Sequence, residues 1–75
     1  MARAPKRLYI CLNNSGYEVS LEKRKIYVGV AGARAERLGH IRIVDESGGR
    51  HIYRADRFIA AELPLAARRA VLDAA

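Results

Sequence analysis

Any covalent or proton-transfer chemistry in this chain falls to Cys11, His40, His51 and the adjacent acids Asp45 and Glu46. His40 opens one strand-like run and His51 sits near the start of the next. Paired antiparallel, the two imidazoles stand several residue pairs apart, too far to share a proton or a metal ion. One cysteine and two histidines also cannot furnish a tetrahedral Cys/His structural zinc site. Cys11 lies in an apolar alternation without a neighbouring histidine, which predicts a small buried hydrophobe. Asp45 and Glu46 precede two glycines. Successive strand residues point to opposite faces, so two solvated turn acids are expected there and no cooperating carboxylate pair. Gly29-x-x-Gly32 is followed by neither a Gly-Lys-Ser/Thr sequence nor a long helix, so it is no phosphate loop. No nucleophile, base and orienting group can be assembled. The sequence predicts no enzyme, no cofactor and no metal.

Binding chemistry is better supplied. Tyr9, Tyr17, Tyr27, Tyr53 and Phe58 lie among Arg42, Arg50, Arg54 and Arg57. Aromatic faces on a small sheet can stack bases or line a peptide groove while arginines hold phosphates or carboxylates. The competing expectation is that Tyr27, Tyr53 and Phe58 are core, with the hydroxyls at its rim. Arg42, Tyr53, Arg54 and Arg57 are the candidate binding residues, with Arg54-x-x-Arg57 beside Tyr53 the favoured contact. The 14 Lys and Arg against 8 Asp and Glu, a net charge of +6, raise the weight of a polyanionic partner. The cations are spread along the whole length, however, and Arg, Ala and Gly enrichment also follows from a high-GC coding bias. A protein or peptide partner is therefore the first expectation, with RNA or single-stranded DNA as the alternative.

The elements that must position these residues are short. Residues 1–6 form a flexible N-terminus. Strands are predicted at 7–12, with Leu8, Ile10 and Leu12 alternating against Tyr9 and Cys11, and at 25–30, which is β-branched and aromatic. Asn13 to Gly16 is a turn, after which residues 17–21 extend again. Gly29 inside its strand suggests a bulge or bend. Ala33 to Leu38 fits one helical turn closed by Gly39. Residues 40–45 and 50–55 are strands about the turn Glu46-Ser47-Gly48-Gly49, either a type I turn with a left-handed bulge or a two-residue loop. That choice sets the register and hence the faces of Val44 and Tyr53; Ile41, Ile43 and Ile52 are the safer core residues. A helical turn at 56–58, with Asp56 as a possible cap, leads to a last strand at 58–61. Pro64 closes it and can begin a helix over 65–74.

The chain's 75 residues suffice for one domain, and 51% are hydrophobic, enough for a core without disulfides. No apolar run is long enough to span a bilayer. The apolar stretch Leu8 to Leu12 is too short for a signal-peptide core, which predicts a cytoplasmic protein. The expected fold class is mainly β: a small SH3-like antiparallel barrel of about five strands, closed or half-closed, over residues 7–64. It carries a one-turn helix and a C-terminal helical tail, 65–75. The tail can dock on the sheet, pair with a second copy to give a homodimer in place of a monomer, or fray.

Leu21 to Val28, LEKRKIYV, resembles the approach to the second strand of many SH3-like barrels. With Ile41 to Gly48, Tyr53 and Glu62-Leu63-Pro64, the chain is similar to a family of short uncharacterised bacterial proteins. That family carries a D-E-S-G turn, a Tyr-x-x-x-x-Phe step and a terminal L-P. The resemblance covers roughly residues 8–64 and implies an SH3-like fold and a bacterial cytoplasm, but no activity. Where members often carry acids after the turn, this chain has Gly49-Arg50-His51. Any acidic surface role is thereby lost.

Overall fold

Runs of β-branched and aromatic residues separated by Gly-, Asn- and charge-rich turns fold into five antiparallel strands. The computed structural model describes residues 6–30 and 32–74. The strands are β1 (Lys6–Cys11), β2 (Ile26–Val30), β3 (His40–Val44), β4 (Arg50–Arg54) and β5 (Phe58–Ala60). A one-turn helix α1 (Ala33–Arg37) lies between β2 and β3, a 3-10 turn (Ala55–Arg57) links β4 to β5, and α2 (Leu65–Ala74) ends the chain. Most of the expected N-terminal segment, 1–5, lies outside the described residues, and Lys6 already belongs to β1.

The strand order is β4-β3-β2-β1-β5. A flat sheet of this kind would hold its outer strands about 19 Å apart, four spacings of about 4.8 Å. The link from Arg54 to Phe58 reaches at most about 14 Å. The sheet must therefore curl until its two edges approach one another. It remains open, because β4 and β5 do not pair. The fold is thus mainly β as expected, with a half-closed sheet and two edges.

One side of the curl encloses the core of Cys11, Leu21, Tyr27, Ile41, Ile43, Tyr53 and Phe58, with Tyr9 and Ala55 packed against it. Phe58 meets Tyr9, Tyr27 and Tyr53 edge-on at centroid distances of 6.5, 6.5 and 6.0 Å. β1 thus turns Tyr9 and Cys11 toward this core. Leu8 is buried on the opposite face, while Leu12 at the strand's end is exposed. On that outer face Val71 and Leu72 of α2 line crevices with Val28 and Val44. Arg68 donates from Nη2 to the Lys6 carbonyl. Of the three fates open to the tail, the helix lies on its own sheet.

Several expectations are corrected. Ile52 is exposed at 55%, since it pairs with Arg42 on the outer face while Tyr53 pairs with Ile41 on the inner one. Gly29 forms no bulge. It pairs regularly with Arg7 and Ile43, and the Tyr9 ring occupies the space where a Cβ would stand, 2.3 Å from Cε2. Residues 17–21 do not extend; the Ser20 and Leu21 N–H groups both bond to the Tyr17 carbonyl at 3.0 and 2.8 Å, folding the segment into a turn. The β3–β4 hairpin adopts the first of its two expected turns. Gly48 has φ +81°, its N–H bonds to the Asp45 carbonyl at 2.9 Å, and Asp45 N–H bonds to the Gly49 carbonyl at 3.1 Å. This is a type I turn with a left-handed bulge residue, which glycine adopts without steric cost.

Candidate functional site

The four candidate binding residues do not converge. Tyr53 is buried on the inner face. Arg57 is half-buried and works as a clamp. Its Nη1 donates to the carbonyls of Asn13 and Ser15 at 3.2 and 2.9 Å, and its guanidinium covers the Tyr17 ring at 4.7 Å. Tyr17 in turn meets Tyr53 edge-on at 5.0 Å. Arg57 therefore fastens the β1–β2 loop to the 3-10 turn, with its Nη1 committed to backbone carbonyls. Arg42 and Arg54 are both exposed on the outer face, on neighbouring strands.

Below Tyr53 lies a polar cluster that sequence reasoning missed. Asp45, expected to be solvated, is buried, with its side chain only 1% exposed. It accepts hydrogen bonds from Ser47 N–H at 3.0 Å, from the Ser47 hydroxyl, and from the Tyr53 hydroxyl at 2.7 Å. His51 Nδ1 lies 2.7 Å from its Oδ2. Burial alone would push this carboxyl up. The bonds from Ser47, Tyr53 and His51 outweigh that cost and pull the pKa from 3.8 down to about 2. Tyr53 is pushed up by burial, with Ser20 Oγ at 3.1 Å pulling the other way. Beside this cluster the Tyr27 hydroxyl donates to Glu46 Oε2 and accepts from Glu22 N–H, both at 2.6 Å. Lys25 Nζ bonds both Glu46 oxygens at 2.7 and 2.6 Å, and that bond, ahead of the one from Tyr27, lowers the Glu46 carboxyl.

The cluster opens onto a wide-mouthed groove of about 420 Å³ lined by Tyr17, Ser20, Ser47, His51 and Ile52 among others. The Ser47 hydroxyl donates to the Asp45 carboxylate and not to the imidazole, so serine, histidine and aspartate are not ordered as nucleophile, base and orienting acid. His40 and His51 stand three residue pairs apart along β3. Cys11 is fully buried, and burial raises its thiol. Among the described residues no cluster of three metal-ligating side chains forms.

The outer face carries the arrangement with most to offer a partner. Lys6, Val30, Arg42 and Ile52 are consecutive neighbours across four strands. Arg50 and Arg54 lie two residues to either side of Ile52 on β4, and His40 pairs with Arg54. All three arginines and Ile52 are exposed. The outward positions of the hairpin strands are thus His40, Arg42, Val44, Arg50, Ile52 and Arg54, without an acid among them. Arg54 reaches off this surface to Asp56 at 2.7 Å. Arg50 and Ile52 lay outside the sequence-derived site. The alternation Arg-x-Ile-x-Arg at 50–54 was the readable signal, since period two puts all three on one face.

Comparison of the chain with protein-family models, with curated proteins and with solved structures finds no match. No helix among the described residues is long and apolar enough to cross a membrane.

Proposed function

We propose that this chain is a non-catalytic binding module that holds an acidic protein or peptide partner on the outer face of its β3–β4 hairpin. One observation carries the reading: Arg42, Arg50 and Arg54 surround the exposed Ile52 on outward hairpin positions that include no acid. Arginine around an apolar centre is the composition that protein-binding surfaces favour. The aromatic residues support the same choice. Tyr27, Tyr53 and Phe58 are core, and Tyr9 packs against it. Tyr17 is sandwiched between Tyr53 and Arg57. None of the five is on the cationic face to stack a base, which single-strand binders rely on.

The test is a titration of the protein with short acidic peptides containing branched apolar residues, against an RNA oligomer of equal charge. Peptide binding weakens with salt, and Arg42→Glu and Arg50→Glu each cut affinity roughly ten-fold or more while leaving thermal unfolding in place. The second reading, nucleic acid, draws on the same cationic hairpin positions and the net charge of +6. RNA bound more tightly than any peptide at about 50 mM salt, with a steep salt slope, would replace the first reading by the second.

A further inference from the structure

The bonds that flank the hairpin reveal which backbone groups of β4 are free. Ala55 N–H bonds to the Gly39 carbonyl at 2.9 Å, and Asp45 N–H to the Gly49 carbonyl at 3.1 Å. In an antiparallel ladder hydrogen-bonded pairs alternate with non-bonded ones. The bonded pairs between these ends are Ile41 with Tyr53 and Ile43 with His51. Arg50, Ile52 and Arg54 occupy the non-bonded positions, so their N–H groups point away from β3. The carbonyls of Arg50 and Ile52 point the same way. β4 is the edge of the sheet, and among the described residues no side chain or loop bonds to these N–H groups.

We propose that this edge accepts an extended acidic segment of a partner protein as a sixth strand; the proposal rests on the reading of the hairpin as a protein-binding surface. The occupant follows from charge. A second copy paired antiparallel about Ile52 would set Arg50 of one chain against Arg54 of the other at both ends, and like charges directly opposite are destabilising. The same arginines that bar self-association select an incoming strand with carboxylates at those positions. Arg54 already shows the bond in question, holding Asp56 at 2.7 Å between two exposed side chains. The pattern that fits is an acid, a branched apolar residue and an acid at alternate positions, facing Arg50, Ile52 and Arg54. Backbone bonds supply the affinity, and the alternate side chains supply the choice.

Arg54 also provides the means to separate strand addition from surface charge. Its φ is −65°, the value proline imposes, and its N–H faces outward. Arg54→Pro therefore removes one edge donor and the charge while keeping the β3–β4 ladder; Arg54→Ala removes the charge alone. The full chain is titrated with short peptides carrying Glu at alternate flanking positions about Val or Ile, with amide hydrogen exchange read residue by residue. Strand addition protects the Arg50, Ile52 and Arg54 amides, and Arg54→Pro weakens binding roughly five-fold beyond Arg54→Ala. Peptides N-methylated on the residues facing β4 lose binding, while those methylated on the other alternate set keep it, with the protein unchanged. Equal affinity for the two Arg54 variants, or for the two methylated peptide sets, overturns strand addition. If binding then still depends on Arg42 and Arg50, the surface reading stands without it. If no acidic peptide binds and RNA does, both fall.

Discussion

Asp45 is the residue on which the hairpin turns, in both senses. Its backbone closes the bulged turn, and its buried carboxylate collects Ser47, His51 and Tyr53. Asp45→Ala leaves these donors without an acceptor, and a loss of about 2–4 kcal/mol is expected in urea unfolding. The carboxyl also makes stability depend on acid. Its folded pKa, about 2, lies below the ordinary 3.8, so its contribution is complete above about pH 5 and fades as the pH falls through 3.8 toward 2. Linkage puts that contribution at about 2 kcal/mol. Unfolding midpoints measured across this window should fall more steeply for the parent chain than for Asp45→Ala. Gly29 is the second sensitive residue. A methyl group there would lie 2.3 Å from the Tyr9 ring. Gly29→Ala should cost about 1–3 kcal/mol by forcing that ring out of its rotamer, and Tyr9→Leu in the same chain should recover part of the loss.

Among the elements, the loop from β1 to β2 stores visible strain. Arg24 has φ +70°, the only non-glycine residue with positive φ among those described, while its N–H bonds to the Cys11 carbonyl at 2.7 Å. Arg24→Gly keeps that bond and relieves the left-handed conformation. A gain of about 0.5–1 kcal/mol is expected in thermal or urea unfolding. α2 is the other element with a measurable role. It lies on the outer face, where its Val71 and Leu72 line crevices with Val28 and Val44. Truncation before Leu65 bares this stripe and should lower stability by about 1.5–3 kcal/mol, the worth of one or two buried aliphatic side chains. The β4 ladder should survive the truncation in amide exchange, because the inner core does not include the helix.

For the molecule as a whole, the curl is held by the short link between its outermost strands. Phe58 stands where that link returns to the sheet and touches three tyrosines from three different strands. Phe58→Ala should cost about 3–5 kcal/mol. A domain of this size commands only about 4–11 kcal/mol in total, so a large share of its stability goes and a steep fall in the thermal unfolding midpoint is the expected result. The half-closed curl also divides labour between the faces: the core aromatic rings gather inside, and the hairpin's cations remain outside. A reading based on Tyr/Arg interleaving mixes those two populations, which is why Tyr53 and Arg57 enter the site and Arg50 does not.

Local patterns in the chain were enough to determine most of its elements, the turn at 17–21 excepted. The β-branched run at 26–30, the Gly-Gly turn at 48–49, the helical turn ahead of Gly39 and the helix after Pro64 are each set by propensity and turn chemistry within a few residues. Those forces are short-range and leave their mark on neighbouring letters. Which face β4 turns inward was not legible, since a shift of one residue in the hairpin exchanges Ile52 with Tyr53, whereas Ile41 and Ile43 of β3 are core as expected. Nor was the Asp45 cluster, because Ser20, Asp45 and Tyr53 come from three separate segments and meet only when the sheet curls. The sequence displays side chains in order along a line. Tertiary structure alone decides which carboxylate loses its water and which backbone edge keeps it, for both depend on where the two outermost strands come to rest.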